Sequence, residues 1–118
     1  MATGVIIQEI TWDDFTKIEL RVGQIVEAKV FAEARKPAYQ LIVDFGEEIG
    51  TRKSSAQITD LYTLESLIGK KVLAVVNFPK KQIGKFMSEC LVTGLHNTDD
   101  HVALCVPDQD VPLGTKLL

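Results

Sequence analysis

Alternation of apolar and polar residues marks several short strands in this chain. Tyr39, Leu41, Val43 and Phe45 fall on one face of the run 39–45. The run 21–30 alternates over its second half, which predicts Val26, Ala28 and Val30 inward and Glu27 and Lys29 outward. Gly46-Glu47-Glu48 is a turn signal, and 49–55 reads as a third, more polar strand. The unbroken apolar run in 71–76 predicts a fourth strand buried on both faces. Segments 89–95 and 102–106 complete the strand set, and the Pro- and Gly-marked stretch 107–118 reads as an extended or turn-rich closing segment.

Two short helices interrupt this pattern. Thr11 is a good N-cap with Asp14 three residues on, a capping box in which Asp replaces the usual Glu. Ile10 and Phe15 fit a hydrophobic staple, and Asp13 and Asp14 lie where the helix dipole favours anions. This helix, about two turns long, should turn Trp12, Phe15 and Ile18 toward the core or a partner. A second helix is expected over 61–68, stopped by Gly69. Short strands with one helix between the third and fourth give the order of an all-β, five-stranded OB-fold barrel with short helices and terminal extensions. That barrel presents a strand face and flanking loops to oligonucleotides.

A length of 118 residues allows one core, so the expected organisation is a single domain, 1–118, with 1–20 as N-terminal extension and helix and 107–118 as closing segment. The 46% hydrophobic and 25% charged content is that of an ordinary globular chain. No apolar run approaches the ~20 residues that span a bilayer, and residues 1–9 lack a basic and apolar leader pattern; the expectation is a cytoplasmic protein without membrane insertion. Cys90 and Cys105 lie in apolar patterns without paired spacing and read as buried free thiols. His96 and His101 flank Asn97-Thr98-Asp99-Asp100 in what reads as a solvated turn, so neither a metal nor another cofactor is expected. No nucleophile motif, phosphate-cradling Gly loop or acid/base pair is evident, and the chain does not read as an enzyme.

Charge changes the picture through its placement. The formal net charge is −3, which opposes phosphate binding, yet bases cluster at Arg35-Lys36, Arg52-Lys53, Lys70-Lys71 and Lys80-Lys81 with Lys85. The stretch 77–89 holds three lysines, two aromatic rings, two amides and a hydroxyl within thirteen residues. Such residues neutralise phosphates, stack on unpaired bases and hydrogen-bond base edges or sugars. Lys80, Lys81 and Lys85 are the first candidates for phosphate contacts; Lys53, Arg52 and Arg35 are weaker ones, because strand-edge cations also discourage edge pairing. Phe78 reads as structural, closing the barrel, whereas Phe86 either stacks on a base or packs under the loop. Asn77, Ser54, Ser55, Gln57 and Ser88 sit at strand ends, where they read a ligand or satisfy loose backbone groups. Glu89 would repel phosphate, so it orients Lys or Asn neighbours or accepts from a base amino group.

The ordered segments Leu20-Arg21-Val22-Gly23-Gln24-Ile25-Val26, Phe45-Gly46-Glu47-Glu48-Ile49-Gly50 with the run 52–58, Leu67-Ile68-Gly69-Lys70-Lys71-Val72, Asn77-Phe78-Pro79-Lys80-Lys81 with Gly84, Ser88 and Glu89, and Val111-Pro112-Leu113-Gly114-Thr115-Lys116 resemble the tRNA-binding-domain family over about residues 15–116. This domain occurs at the C-terminus of some methionyl-tRNA synthetases and in free-standing dimers. The synthetase branch often carries His-Pro before Ala-Asp-Lys-Leu and Gly-Met after the signature Ser. Here Arg35-Lys36-Pro37-Ala38-Tyr39-Gln40-Leu41 and Glu89-Cys90-Leu91 stand instead, pointing to the CsaA-type secretion-chaperone branch. The resemblance implies a homodimer joined through the N-terminal extension and closing segment, in keeping with the apolar Val5, Ile6, Ile7, Ile10 and Trp12. The resulting reading is a non-catalytic homodimer that binds tRNA or other structured RNA. The alternative is an export-related chaperone that holds unfolded polypeptides in an apolar groove; a third, weaker reading is a small-molecule pocket at the serines.

Overall fold

A computed structural model describes residues 4–118; Met1, Ala2 and Thr3, part of the extension read from the sequence, lie outside the described residues. The chain runs through helix α1 (Trp12–Thr16), strands β1 (Leu20–Val30), β2 (Tyr39–Asp44) and β3 (Thr51–Ala56), helix α2 (Leu64–Leu67), and strands β4 (Lys71–Val75), β5 (Lys81–Ile83), β6 (Phe86–Ser88), β7 (Leu91–Val92), β8 (Gly94–His96) and β9 (Val102–Leu104). Five of these strands form one antiparallel sheet in the order β3-β2-β1-β4-β7. Its two edges meet where the Glu89 N–H donates to the Lys53 carbonyl at 2.7 Å, nearly closing a barrel. With α2 between β3 and β4, this is the expected OB-fold arrangement.

The core follows the strand pattern. Leu41 and Val43 of β2 and Phe45 just after it are buried, joined by Ile25 from β1, Val72 and Ala74 from β4 and Leu67 from α2. Gly23 of β1 leaves room for this packing: a Cβ there would lie 2.5 Å from Val43 Cγ1 and 2.7 Å from Phe45 Cε1. Strand β4 is buried at Val72, Ala74 and Val75 and half-buried at Leu73, close to the two-faced burial its apolar run predicts.

β1 departs from expectation. Ile25 pairs with Val43 and Glu27 with Ile42, so Val26 is the extra residue of a β-bulge. The bulge shifts the alternation by one: Ile25 is inward before it, Ala28 packs on the core after it, and Val26 stands 41% exposed. Val30, at the strand's last position, is also exposed. The expected inward set Val26, Ala28, Val30 is therefore right only at Ala28.

Both helices are shorter than read. At α1, Thr11 Oγ1 accepts from the Asp14 N–H and Asp14 Oδ2 from the Thr11 N–H, each at 3.1 Å, the capping box expected there. At α2 the cap is Thr63, boxed with Ser66, which moves the helix start from 61 to 64. Gly69 follows with φ +87°, a backbone shape that other residues adopt at a cost. Segment 89–95 divides into β7 and the start of β8, because Thr93 turns its N–H and Oγ1 onto the Leu73 carbonyl.

Candidate nucleic-acid interface

Stretch 77–89 folds into something the alternation did not reveal. Lys81–Ile83 and Phe86–Ser88 pair as a β5–β6 hairpin around Gly84, whose φ is +60°. A left-handed glycine next to a lysine is a usable turn signal, though the strands are only three residues long. The hairpin belongs to the β4–β7 connection. Opposite it, the β1–β2 connection carries buried Phe31, whose ring lies 5.3 Å from that of Phe86. The two connections thus meet, with Arg35 and Lys36 exposed on one and Lys81 and Lys85 exposed on the other.

Below that contact lies a groove of about 540 Å³. Val26, Ala28, Ile42 and Ile68 give it an apolar wall; Glu27, Lys29, Gln40 and Lys53 give it polar groups, and Phe86 borders it. The bulge contributes directly, because it brings Val26 out of the core and into this wall. Lys53 Nζ sits 5.5 Å from the centre of the Phe86 ring, a cation–π contact.

The residues expected at the site fare differently. Lys53, Ser55, Phe86, Ser88 and Glu89 come together where β3 meets β6. Ser88 Oγ accepts from the Ser55 N–H at 3.3 Å, and Lys81 pairs with Ser88 across the hairpin. Lys80, Lys81 and Lys85 are exposed beside them, and Gln57 is exposed just past β3. Ser54 points the other way. It is fully buried, its Oγ has no hydrogen-bond partner among the described residues, and strand alternation alone accounts for this, since Lys53 and Ser55 flank it on the opposite face. Asn77 is held by structure: its Oδ1 accepts from the Glu19 N–H at 3.0 Å and its Nδ2 donates to the Lys17 carbonyl at 2.6 Å, tying the segment after α1 to the end of β4. Phe78 departs from the structural role read for it, and Phe86 takes the packing alternative of the two read for it. Phe78 is 57% exposed, whereas Phe86 is the ring that packs. Lys29 and Gln40 were not singled out, although the outward phase read for Lys29 is the signal that places it.

Glu89 is built into the barrel seam. Its Oε1 accepts from the Lys53 N–H at 3.0 Å and its Oε2 lies 3.6 Å from Lys80 Nζ. The Lys53 N–H is the main reason its carboxyl is held below the usual value; desolvation opposes this, and the Lys80 and Lys53 charges assist it. Of the orienting roles read for Glu89, the one toward lysine matches this geometry; Asn77 is engaged elsewhere. Burial pushes the neighbouring Cys90 thiol up to about 12, so it stays protonated and unreactive at neutral pH. Cys90 and Cys105 are both free thiols. His96 lies 3.1 Å from Asp100 and His101 3.9 Å from Asp60, in exposed pairs. Among the described residues no helix is long and apolar enough to cross a membrane.

A five-strand antiparallel barrel whose groove lies beside the β1–β2 and β4–β7 connections is an OB-fold. The family model described as "Putative tRNA binding domain" matches residues 20–116, and the chain belongs to that family. The chain is 41% identical over 105 residues to the methionine–tRNA ligase of Methanococcus aeolicus, covering 89% of this chain and 15% of the ligase. It therefore spans only about a seventh of the length of such relatives. Two solved structures match across their full length, both with TM-score 0.87: the CsaA chaperone of Picrophilus torridus, 52% identical over 93% of this chain, and that of Bacillus anthracis, 44% identical over 94%.

Proposed function

We propose that this protein is a non-catalytic, CsaA-type homodimer that binds tRNA or other structured RNA through the groove between the two connections. The observation that carries this reading is a groove lined by Lys29, Lys53 and Phe86, with Lys81 and Lys85 exposed on the hairpin that carries Phe86. Counterion release by those lysines supplies affinity, and unpaired bases lie against the apolar wall. A body of net charge −3 makes such binding modest and steeply salt-dependent. Dimerisation is supported by the segment before β1: Ile6 is 96% and Trp12 69% exposed in the single chain, apolar side chains that water does not favour. A two-fold dimer would offer two grooves to one folded RNA.

The test is fluorescence anisotropy with total tRNA across a salt series. Lys81→Ala with Lys85→Ala should weaken binding about tenfold or more and flatten the salt slope by roughly 1.4–1.8 for two lost phosphate contacts, with the melting temperature unchanged. Unchanged affinity would remove the hairpin from the interface.

A second reading rests on the wall formed by Val26, Ala28, Ile42 and Ile68, which suits unfolded or export-bound polypeptide. High salt separates the two, releasing RNA and leaving or strengthening apolar binding.

A further inference from the structure

The cations around the groove are of two kinds. Among the described residues Lys29, Lys81 and Lys85 make no ion pair, whereas Lys80 lies 3.6 Å from a Glu89 carboxylate oxygen. That carboxylate is not a loose surface group. Its other oxygen accepts from the Lys53 N–H, and its own backbone N–H donates to the Lys53 carbonyl. These bonds close the barrel, so Glu89 cannot swing aside when a phosphate approaches without opening the seam. Its second oxygen is left facing Lys80.

On the reading that this groove binds RNA, we infer that Glu89 is a positioning residue that holds Lys80 back from the ligand and leaves phosphate contact to Lys81, Lys85 and Lys29. A lysine reaching for phosphate from this position must leave or share a fixed carboxylate, which its neighbours in the hairpin need not do. The neighbouring residues Lys80 and Lys81 therefore have different tasks. One belongs to the seam and the other to the ligand. The Glu89 carboxylate also sets an upper limit on affinity by removing one cation from the face that meets RNA.

The experiment is tRNA anisotropy over a salt series on four single-chain variants beside the wild type, with melting curves for each. Lys80→Ala should leave affinity within twofold and the salt slope unchanged, in contrast to Lys81→Ala. Glu89→Gln keeps an oxygen to accept from Lys53 but loses the charge that holds Lys80. It should tighten binding about three- to tenfold and steepen the slope by roughly 0.7–0.9, the value of one further phosphate contact. In the Lys80→Ala background, Glu89→Gln should gain less than twofold. A full gain in that background would overturn the inference, because the carboxylate would then act by repelling phosphate and not through Lys80. A Lys80→Ala loss as large as that of Lys81→Ala overturns it as well, and decides the matter alone if Glu89→Gln melts early. Wild-type protein without saturable tRNA binding would instead fail the RNA reading beneath it.

Discussion

Lys71 and the hairpin lysines Lys81 and Lys85 look alike in the sequence and differ in what the fold places beside them. Lys71 Nζ donates to Asp110 Oδ1 at 2.7 Å and to the Val111 carbonyl at 2.6 Å, while Lys70 sits 5.8 Å from the centre of the Tyr62 ring. Lys71 thereby fastens the closing segment to β4. Lys81 and Lys85 stand exposed on the hairpin, and among the described residues no carboxylate pairs with them. A cluster of bases is left open to a polyanion only where the fold withholds acidic partners. That is how a chain of net charge −3 can still present a positive face.

The comparison can be broken first through the barrel that carries both sets of lysines. Gly23→Ala would force a methyl against Val43 and Phe45, both fully buried, and should cost about 1–3 kcal/mol by overpacking. Urea unfolding measures this, and tRNA affinity of the remaining folded fraction should be unaltered. A destabilisation near zero would mean that β1 shifts easily, and the groove wall with it.

Lys71→Ala sharpens the contrast with the hairpin lysines. It removes an ion pair whose Asp110 partner is largely exposed, together with a bond to a backbone carbonyl, so about 0.5–1.5 kcal/mol is expected. RNA affinity should stay within twofold. Loss of affinity equal to that of the Lys81, Lys85 variant would erase the distinction between anchoring and binding lysines.

Acid provides the smallest effect. The Glu19 carboxyl is held below its usual value by Lys116 and then Arg21, and that of Asp110 by Lys71. A folded-state value depressed below the unfolded one gives stability that is present at neutral pH and is lost as pH falls through the folded value. The closing segment should therefore loosen in acid, below the ordinary carboxylate range, seen as faster amide exchange over 107–118 than in β2 after normalising for pH. Uniform protection would assign those carboxylates no anchoring role.

Much of the barrel was legible because β2 and β4 bury their side chains at strand period, and because Thr11 and Asp14 form a local cap whose partners are three residues apart. The family resemblance added order to those elements. What stayed hidden depends on register between distant segments. The Val26 bulge is visible only once Ile25 and Glu27 have partners in β2. Asn77 looked like a ligand-reading amide because its true partners, Lys17 and Glu19, arrive from the far end of the chain. Ser54 and Ser55 looked equivalent as neighbours in a polar run, and strand period sends one into the core and the other toward Ser88.

Strand β1 pairs with β2 on one edge and with β4 on the other, Leu20 lying opposite Val75. During synthesis its first partner follows closely, but the second is complete only some thirty residues after β2. At roughly 5–20 residues per second, a β1–β2 hairpin waits about 1.5 to 6 seconds with the other edge of its central strand unpaired. Through that interval the nascent chain offers the kind of open edge that recruits other unfinished strands.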